Sequence, residues 1–114
     1  MSNLKDTIVV NGKETKLKVT AYTALLYEDN FKGSCFLKDV EEATAYYTKR
    51  NSNKFPTTLC LKMLWASAKT ANEDLESFVN FTKNLSLSDI LKNSNTVIDL
   101  IWESIRTSET TEKN

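Results

Sequence analysis

The sequence has 114 residues, contains no histidine, and has 15 basic side chains (Lys and Arg) against 15 acidic ones (Asp and Glu). This length fits one domain with a real core, and the balanced charge gives no net field to attract nucleic acid or an anionic membrane. No apolar run approaches the roughly 20 residues that cross a bilayer, and no basic segment precedes an apolar block at the N-terminus. We therefore expect a soluble, non-secreted, single-domain protein with neither a nucleic-acid nor a membrane partner.

The first predicted element is a β-hairpin built on the Asn-Gly dipeptide at positions 11 and 12. A two-residue turn there sets Val10 opposite Lys13 and Ile8 opposite Thr15. An isolated two-stranded ribbon is marginal in water, so helices must cover its apolar face. That face is predicted to contain Ile8, Val10, Leu17 and Val19.

Two helices are predicted after the hairpin. Apolar residues at helical spacing indicate a short helix from Ala21 to about Phe31, and Gly33 suits a position just past its end. Ser34 is the expected N-cap of a second, amphipathic helix. The apolar stripe of that helix contains Phe36, Val40, Ala43 and Tyr47.

A third helix is predicted at the centre of the core. The polar segment 49–54 reads as a solvated loop, and Pro56 fits the first turn of the helix after it. The helix spans about Thr57 to Ala71, is apolar almost all round, and has a narrow polar stripe at Thr58, Lys62 and Lys69. Small residues at positions 66, 67, 68 and 71 would let neighbouring helices approach closely.

The C-terminal part is predicted to hold a brief fourth helix and a long final one. Ser86 and Asp89 have the spacing of a capping box, and the helix they start continues to about Arg106 unless residues 93–95 divide it. Its expected apolar stripe contains Leu87, Ile90, Leu91, Ile98, Ile101, Trp102 and Ile105. The predicted fold is thus α+β and mainly helical, with an N-terminal two-stranded antiparallel hairpin followed by four to five helices, in one domain at 1–106 with a disordered tail at 107–114.

Catalytic chemistry has little support in the residues. Without histidine the chain lacks every Ser-His and Cys-His pair, and its only two glycines cannot form a phosphate-binding loop. The acidic residues come as sequence neighbours, which do not converge on one substrate from a helix. Cys35 and Cys60 are isolated and fit reduced, buried thiols, with a disulfide between them left open. We expect no enzyme activity, no cofactor and no metal.

Aromatic side chains are the candidates for partner binding. Trp65 lies in the most apolar helix and is expected in the core, whereas Tyr46 and Trp102 lie on helices whose opposite face is polar. Tyr47 is the neighbour of Tyr46 on the second helix. We predict that these three side chains lie on a partner-binding surface formed by the second and last helices. Lysines at 16 and 18 are explained by protection of the hairpin edge.

The order of these segments resembles the tail assembly chaperones of long-tailed phages of Gram-positive bacteria. The resemblance is carried by the hairpin NGKETKLKVT, the helix AYTALLYEDNFKGSCFLKDV, the central LWASAKTAN, and SFVNF before an apolar terminal helix. It extends to about residue 106 and includes no catalytic signature. The polar connection KRNSNKFPTT departs from it in a segment whose length is expected to vary.

The resemblance implies a chaperone that binds the tape measure protein and helps recruit tail tube subunits during tail morphogenesis. Such a protein acts in the host cytoplasm, is absent from the mature virion, and often has a longer frameshifted form that contacts the tail tube protein. A homo-oligomer is also expected, through the hairpin edge or the small-residue helix. The alternative is a small structural tail or head-to-tail connector protein, whereas a DNA-binding helix-turn-helix would need a basic recognition helix.

Overall fold

A computed structural model describes residues 6–49 and 54–113, with side chains described to Arg106 and not at Lys49. Within these residues the chain forms a two-stranded hairpin followed by five helices, so the predicted α+β, mainly helical fold is confirmed. Most of the predicted loop at 49–54 lies outside the described residues. The elements are β1 (Thr7–Val10), β2 (Lys13–Lys16), α1 (Ala21–Asn30), α2 (Phe36–Lys49), α3 (Thr57–Ala71), α4 (Phe78–Lys83) and α5 (Leu87–Lys113).

The hairpin has the predicted turn and register. Asn11 and Gly12 both have positive φ, at 55° and 76°. A two-residue turn needs positive φ at both positions if its twist is to match that of the flanking strands. Val10 pairs with Lys13 and Ile8 with Thr15. The inward face is buried as expected, with Val19 partly buried beside Ile8, Val10 and Leu17.

Helix α1 begins with a capping box and ends just before a glycine. The Thr20 side chain accepts from the backbone of the first turn, while the Thr23 hydroxyl accepts from the Thr20 N–H at 3.0 Å. After the helix, Gly33 has a φ of 85°, in the region that favours glycine. The predicted position and end of this helix are both confirmed.

The start of α2 differs from the predicted N-cap at Ser34. The first helical residue is Phe36, and its N–H donates to Glu28 Oε2 at 2.9 Å, so a carboxylate from α1 satisfies a free amide of the α2 terminus. Ser34 instead accepts a hydrogen bond from Lys62 Nζ at 3.0 Å. The capping group, Glu28, lies outside the local sequence of α2, so the spacing of residues near the helix start could not identify it.

Helix α3 is the centre of the core, with the bounds that its sequence predicts. It contacts all four other helices and β2. Trp65 is 3 % exposed and donates through Nε1 to the Glu76 backbone oxygen at 2.9 Å. The small residues at 66, 67 and 68 are buried inside the chain, so they serve packing between its own helices.

Helix α5 is continuous through the predicted break at residues 93–95. The amide of Asn93 and the hydroxyl of Ser94 donate to backbone oxygens one turn earlier, which leaves the helix unbroken. The helix continues to Lys113, past the end predicted near Arg106. The division into a domain at 1–106 and a disordered tail stays a prediction.

The buried stripe of α5 is narrower than predicted. It is centred on Ile90, Val97 and Ile101, which are all at most 1 % exposed. Leu87 and Leu91 are 74 % and 58 % exposed, so this part of the predicted apolar stripe is not covered by the core. Both residues lie in the first two turns of α5, and none of the described helices or strands covers their side chains.

Candidate partner-binding surface

Tyr46 lies on the outer side of α2 in a small group of aromatic rings. Its ring makes edge-to-face contacts with Tyr47 at 5.1 Å and with Phe55 at 5.4 Å between ring centroids. Tyr46 and Phe55 are both half-buried. Edge-to-face pairs hold aromatic rings in fixed relative positions, so Tyr46 presents a preformed apolar surface.

An open cleft of about 460 Å³ separates this part of α2 from the start of α3. Glu42 and Lys54 supply one acidic and one basic side chain at its exposed margin. Its lining is otherwise mostly apolar, as is usual in grooves that accept a partner helix. The lining residues are Glu42, Tyr46, Lys54, Phe55, Pro56, Thr57, Thr58 and Leu59.

Tyr47 is directed toward the core, unlike its neighbour. It packs against the buried cluster, and burial raises its pKa to about 12, with further increases from Cys60 and Tyr46 and an opposing hydrogen bond from Ser94. The Tyr47 hydroxyl is therefore neutral at physiological pH. Its contacts make it a packing residue beside the cleft, with only part of its surface exposed.

Trp102 links α5 to α2. Its Nε1 donates to Thr44 Oγ1 at 2.9 Å, and its ring is partly buried against the core. Thr44 lies two residues before Tyr46, so the two side chains leave α2 in different directions. The three predicted residues thus surround the C-terminal half of α2, with Tyr46 at the cleft and Tyr47 and Trp102 against the core.

Sequence reasoning missed Phe55 and several exposed apolar side chains. For Phe55 a signal was available, because an aromatic residue next to Pro56 at a helix start often packs locally. No periodic signal marks the exposed residues, because tertiary packing decides which edge of an apolar stripe is covered. Among the residues whose side chains are described, the large apolar ones that are more than half exposed are Val9, Tyr22, Leu25, Leu37, Val79, Leu87 and Leu91.

Lys62, Asp39 and Tyr27 form a largely buried cluster between α1, α2 and α3. Tyr27 donates to Asp39 Oδ2 at 2.7 Å, and Lys62 Nζ lies 3.8 Å from the same oxygen. The Lys62 ammonium also lies 5.2 Å from the Tyr27 ring centroid and 5.0 Å from that of Phe31. Burial, followed by the Asp39 contact, raises the pKa of Tyr27 far above its usual value. Each polar group of this cluster has a hydrogen-bond or ion-pair partner within it or beside it, so we interpret the cluster as a structural link between the three helices.

The described residues show no arrangement for metal binding. No group of three or more Cys, Asp or Glu side chains among them is placed to hold an ion. Cys35 is exposed, so its predicted burial is wrong, whereas Cys60 is buried as expected. Both thiols are free, with no disulfide between them, and burial raises the pKa of Cys60. No helix in the described ranges has both the length and the apolar character needed to cross a membrane.

Comparison with protein-family models, curated proteins and solved structures finds no match to this chain. The resemblance to tail assembly chaperones is therefore carried by the sequence segments alone.

Proposed function

We propose that this chain is a tail assembly chaperone that binds the tape measure protein and helps recruit tail tube subunits during phage tail morphogenesis. The observation that carries the proposal is the cleft between α2 and α3, where the rings of Tyr46 and Phe55 supply an apolar surface among polar neighbours. The segment resemblance supplies the identity of the client. In this proposal the protein acts in the host cytoplasm and leaves the assembly before the virion is complete.

The proposed mechanism is protection of apolar surface without any chemical step. A client helix places the apolar side chains of one face against Tyr46, Phe55 and Leu59, and water leaves both surfaces. Burial of apolar area contributes roughly 25 cal/mol per Å², so the binding strength depends on how much of the client face is covered. Glu42 and Lys54 at the margin would orient the client through its own charges.

A second exposed apolar pair extends this surface in the proposal. Leu87 and Leu91 are one helical turn apart on α5 and present adjacent side chains. The same helix holds Trp102 against α2. The client is therefore proposed to contact both helices, with α5 providing the second strip. The longer frameshifted form would add the tail tube contact.

The proposed role needs no catalytic group and no cofactor. The described groups with shifted pKa values are Tyr27, Tyr47 and Cys60, and each shift favours the neutral form. A phenol or thiol held neutral is a poor nucleophile at neutral pH. These observations support a binding protein over an enzyme.

Co-expression with the tape measure protein, the proposed client, tests the proposal. The tagged chain should retain that protein in soluble form through purification, whereas without the chain the long protein should aggregate. Tyr46→Ala should reduce the amount retained, while Tyr22→Ala, which removes an exposed tyrosine from α1, should not. Equal retention by both variants would place the client elsewhere.

Mass spectrometry of purified virions separates the proposal from its alternative. A chaperone should be absent from virions and abundant in infected cells. A structural tail or connector protein would be recovered from virions in a fixed ratio to the tail tube protein.

A further inference from the structure

The hairpin has two edges, and α5 covers one of them. Asn93 Nδ2 donates to the Val9 backbone oxygen at 3.1 Å, and the Asn11 N–H donates to Asp89 Oδ2 at 2.7 Å. Both bonds use outward-pointing groups of β1 and its turn. The β1 edge is therefore closed to another strand.

The β2 edge is open over a short stretch. The Leu17 N–H donates to the Asp6 oxygen at 2.7 Å, so the odd-numbered residues of this strand direct their backbone groups toward β1. The backbone N–H and C=O of Glu14 and Lys16 point away from it, and no partner for them occurs among the described residues. At Lys18 the edge closes again, because its N–H donates to the Ser67 oxygen at 3.1 Å.

There is room beside the open stretch for another strand. A cleft of about 740 Å³ lies between β2 and the connection from α3 to α4, with Leu75 and Phe81 on its far side. An added strand lies about 4.8 Å from its neighbour in the hydrogen-bonding direction. Unpaired backbone groups beside open space are the usual template for strand addition.

We propose that the β2 edge pairs antiparallel with the same edge of a second copy of this chain, forming a four-stranded sheet across a two-fold axis. The pairing places Thr15 opposite the partner's Thr15 and Glu14 opposite the partner's Lys16. Both Glu14–Lys16 positions are then hydrogen-bonded pairs, as the outward direction of their backbone groups requires. Opposite charges face each other twice, and cross-strand pairs of this kind stabilise a sheet.

The charge pattern selects this register over its neighbours. A shift that preserves the backbone pairing would place Glu14 opposite the partner's Glu14, or Lys16 opposite the partner's Lys16. Like charges directly opposite each other destabilise a sheet. The Lys16 register would also place Glu14 opposite the partner's Lys18, but the Lys18 N–H already donates to the Ser67 oxygen, so that hydrogen-bonded pair cannot form. Lysines often protect a sheet edge from its own copies. Here the Lys-Glu-Thr-Lys order of β2 is complementary to itself instead.

Most of the second surface expected for self-association is not accessible, since of its four small residues only Ala71 is half-buried. Ala66, Ser67 and Ala68 of α3 are at most 1 % exposed, because they pack against other elements of the same chain. This inference goes beyond the proposed function and does not depend on it, since the β2 edge is separate from the Tyr46 cleft.

Sedimentation equilibrium of charge-reversal variants tests the pairing. The wild-type chain should associate reversibly to a dimer, while Glu14→Lys and Lys16→Glu should each dimerise about tenfold more weakly, because both facing pairs become repulsive. An equimolar mixture of the two variants should recover dimerisation, since a basic edge then faces an acidic one. Lys32→Glu, a reversal at a side chain 85 % exposed outside the hairpin, should leave the wild-type constant unchanged.

Circular dichroism should confirm that every variant is folded, and the mixture controls for loss of the hairpin itself. The pairing is overturned if the wild-type chain stays monomeric across the concentration range, or if the single variants associate as strongly as wild type. Failure of the mixture to recover association would also overturn it. A monomeric wild type whose client binding falls with Glu14→Lys would assign the edge to a client strand instead.

Discussion

Lys62 joins three helices through a single ammonium group. It contacts Asp39 on α2, the Tyr27 ring of α1 and the Ser34 hydroxyl between them, while its own side chain is only 13 % exposed. A charge this far from water is stable only while its partners remain. The narrow polar stripe of α3 was predicted from the sequence, but the partners of Lys62 were not, since they come from other elements.

Asp39→Ala should destabilise the chain by about 3 kcal/mol, because it leaves the Lys62 ammonium buried without a counter-ion and removes the Tyr27 hydrogen bond. The matched control is Asp29→Ala, which breaks an exposed pair with Lys32 and should cost about 0.5 kcal/mol or less. Urea unfolding followed by circular dichroism measures both changes. Similar losses of stability in the two variants would show that the buried Lys62–Asp39 pair does not stabilise the fold more than an exposed pair does.

The raised pKa of Tyr47 makes stability depend on pH in the alkaline range. An unfolded tyrosine loses its proton near pH 10, whereas folded Tyr47 keeps it to about 12. The unfolded state therefore binds fewer protons than the folded state between these pH values. The contribution of Tyr47 to the free energy of unfolding is complete below pH 10 and decreases as the pH rises toward 12. Tyr27 and Cys60, whose pKa values are also raised by burial, act in the same direction.

Tyr47→Phe should make this alkaline loss of stability less steep, because one of the contributing protons is removed from both states. Tyr22→Phe is the matched control, since Tyr22 is 52 % exposed. Urea midpoints measured across the alkaline range give the slopes. A Tyr47→Phe slope equal to that of wild type would show that this hydroxyl ionises alike in both states.

At the scale of elements, the hairpin is joined to α5 through the start of that helix. Only one of the two hydrogen bonds of the predicted capping box is present: the Asp89 N–H donates to Ser86 Oγ at 3.0 Å. The Asp89 carboxylate instead accepts from the Asn11 N–H at 2.7 Å. The helix start and the hairpin turn were both predicted, each from a local motif. Their contact was not, because it joins residues 78 positions apart.

Asp89→Ala should destabilise the chain by about 1–2 kcal/mol, through the loss of a charge-assisted bond to Asn11 and of an acidic group in the first turn of α5. Ser88→Ala, a change at an exposed neighbour, should have little effect. Amide exchange at Asn11 should accelerate in the Asp89 variant alone. Unchanged exchange there would mean that the hairpin is held by its apolar face without this bond.

The elements themselves were largely predictable, because each depends on local chemistry. The Asn-Gly turn fixed the hairpin register, and the apolar α3 segment had its bounds predicted. The continuity of α5 and the cap at Phe36 were not predictable. Both involve side-chain hydrogen bonds to other elements: Asn93 also donates to β1, and the carboxylate that caps Phe36 comes from α1.

At the scale of the molecule, α3 organises the core and leaves the outer side of α2 for other contacts. The sequence pattern predicted aromatic residues around this side, but Tyr47 and Trp102 proved to pack inward. Helical spacing could not separate them from Tyr46, because all three lie near the boundary between the buried and exposed sectors. Phe55, brought beside Tyr46 by the fold, completes the cleft.

The role of the cleft is tested most directly by the fraction of the tape measure protein that stays soluble when it is co-expressed with each of three chains. Wild type and Tyr22→Ala should keep most of it soluble, and Tyr46→Ala should keep markedly less while remaining folded itself. If Tyr46→Ala protects the client as well as Tyr22→Ala does, or if the wild-type chain protects none of it, the cleft is not the surface through which this protein works.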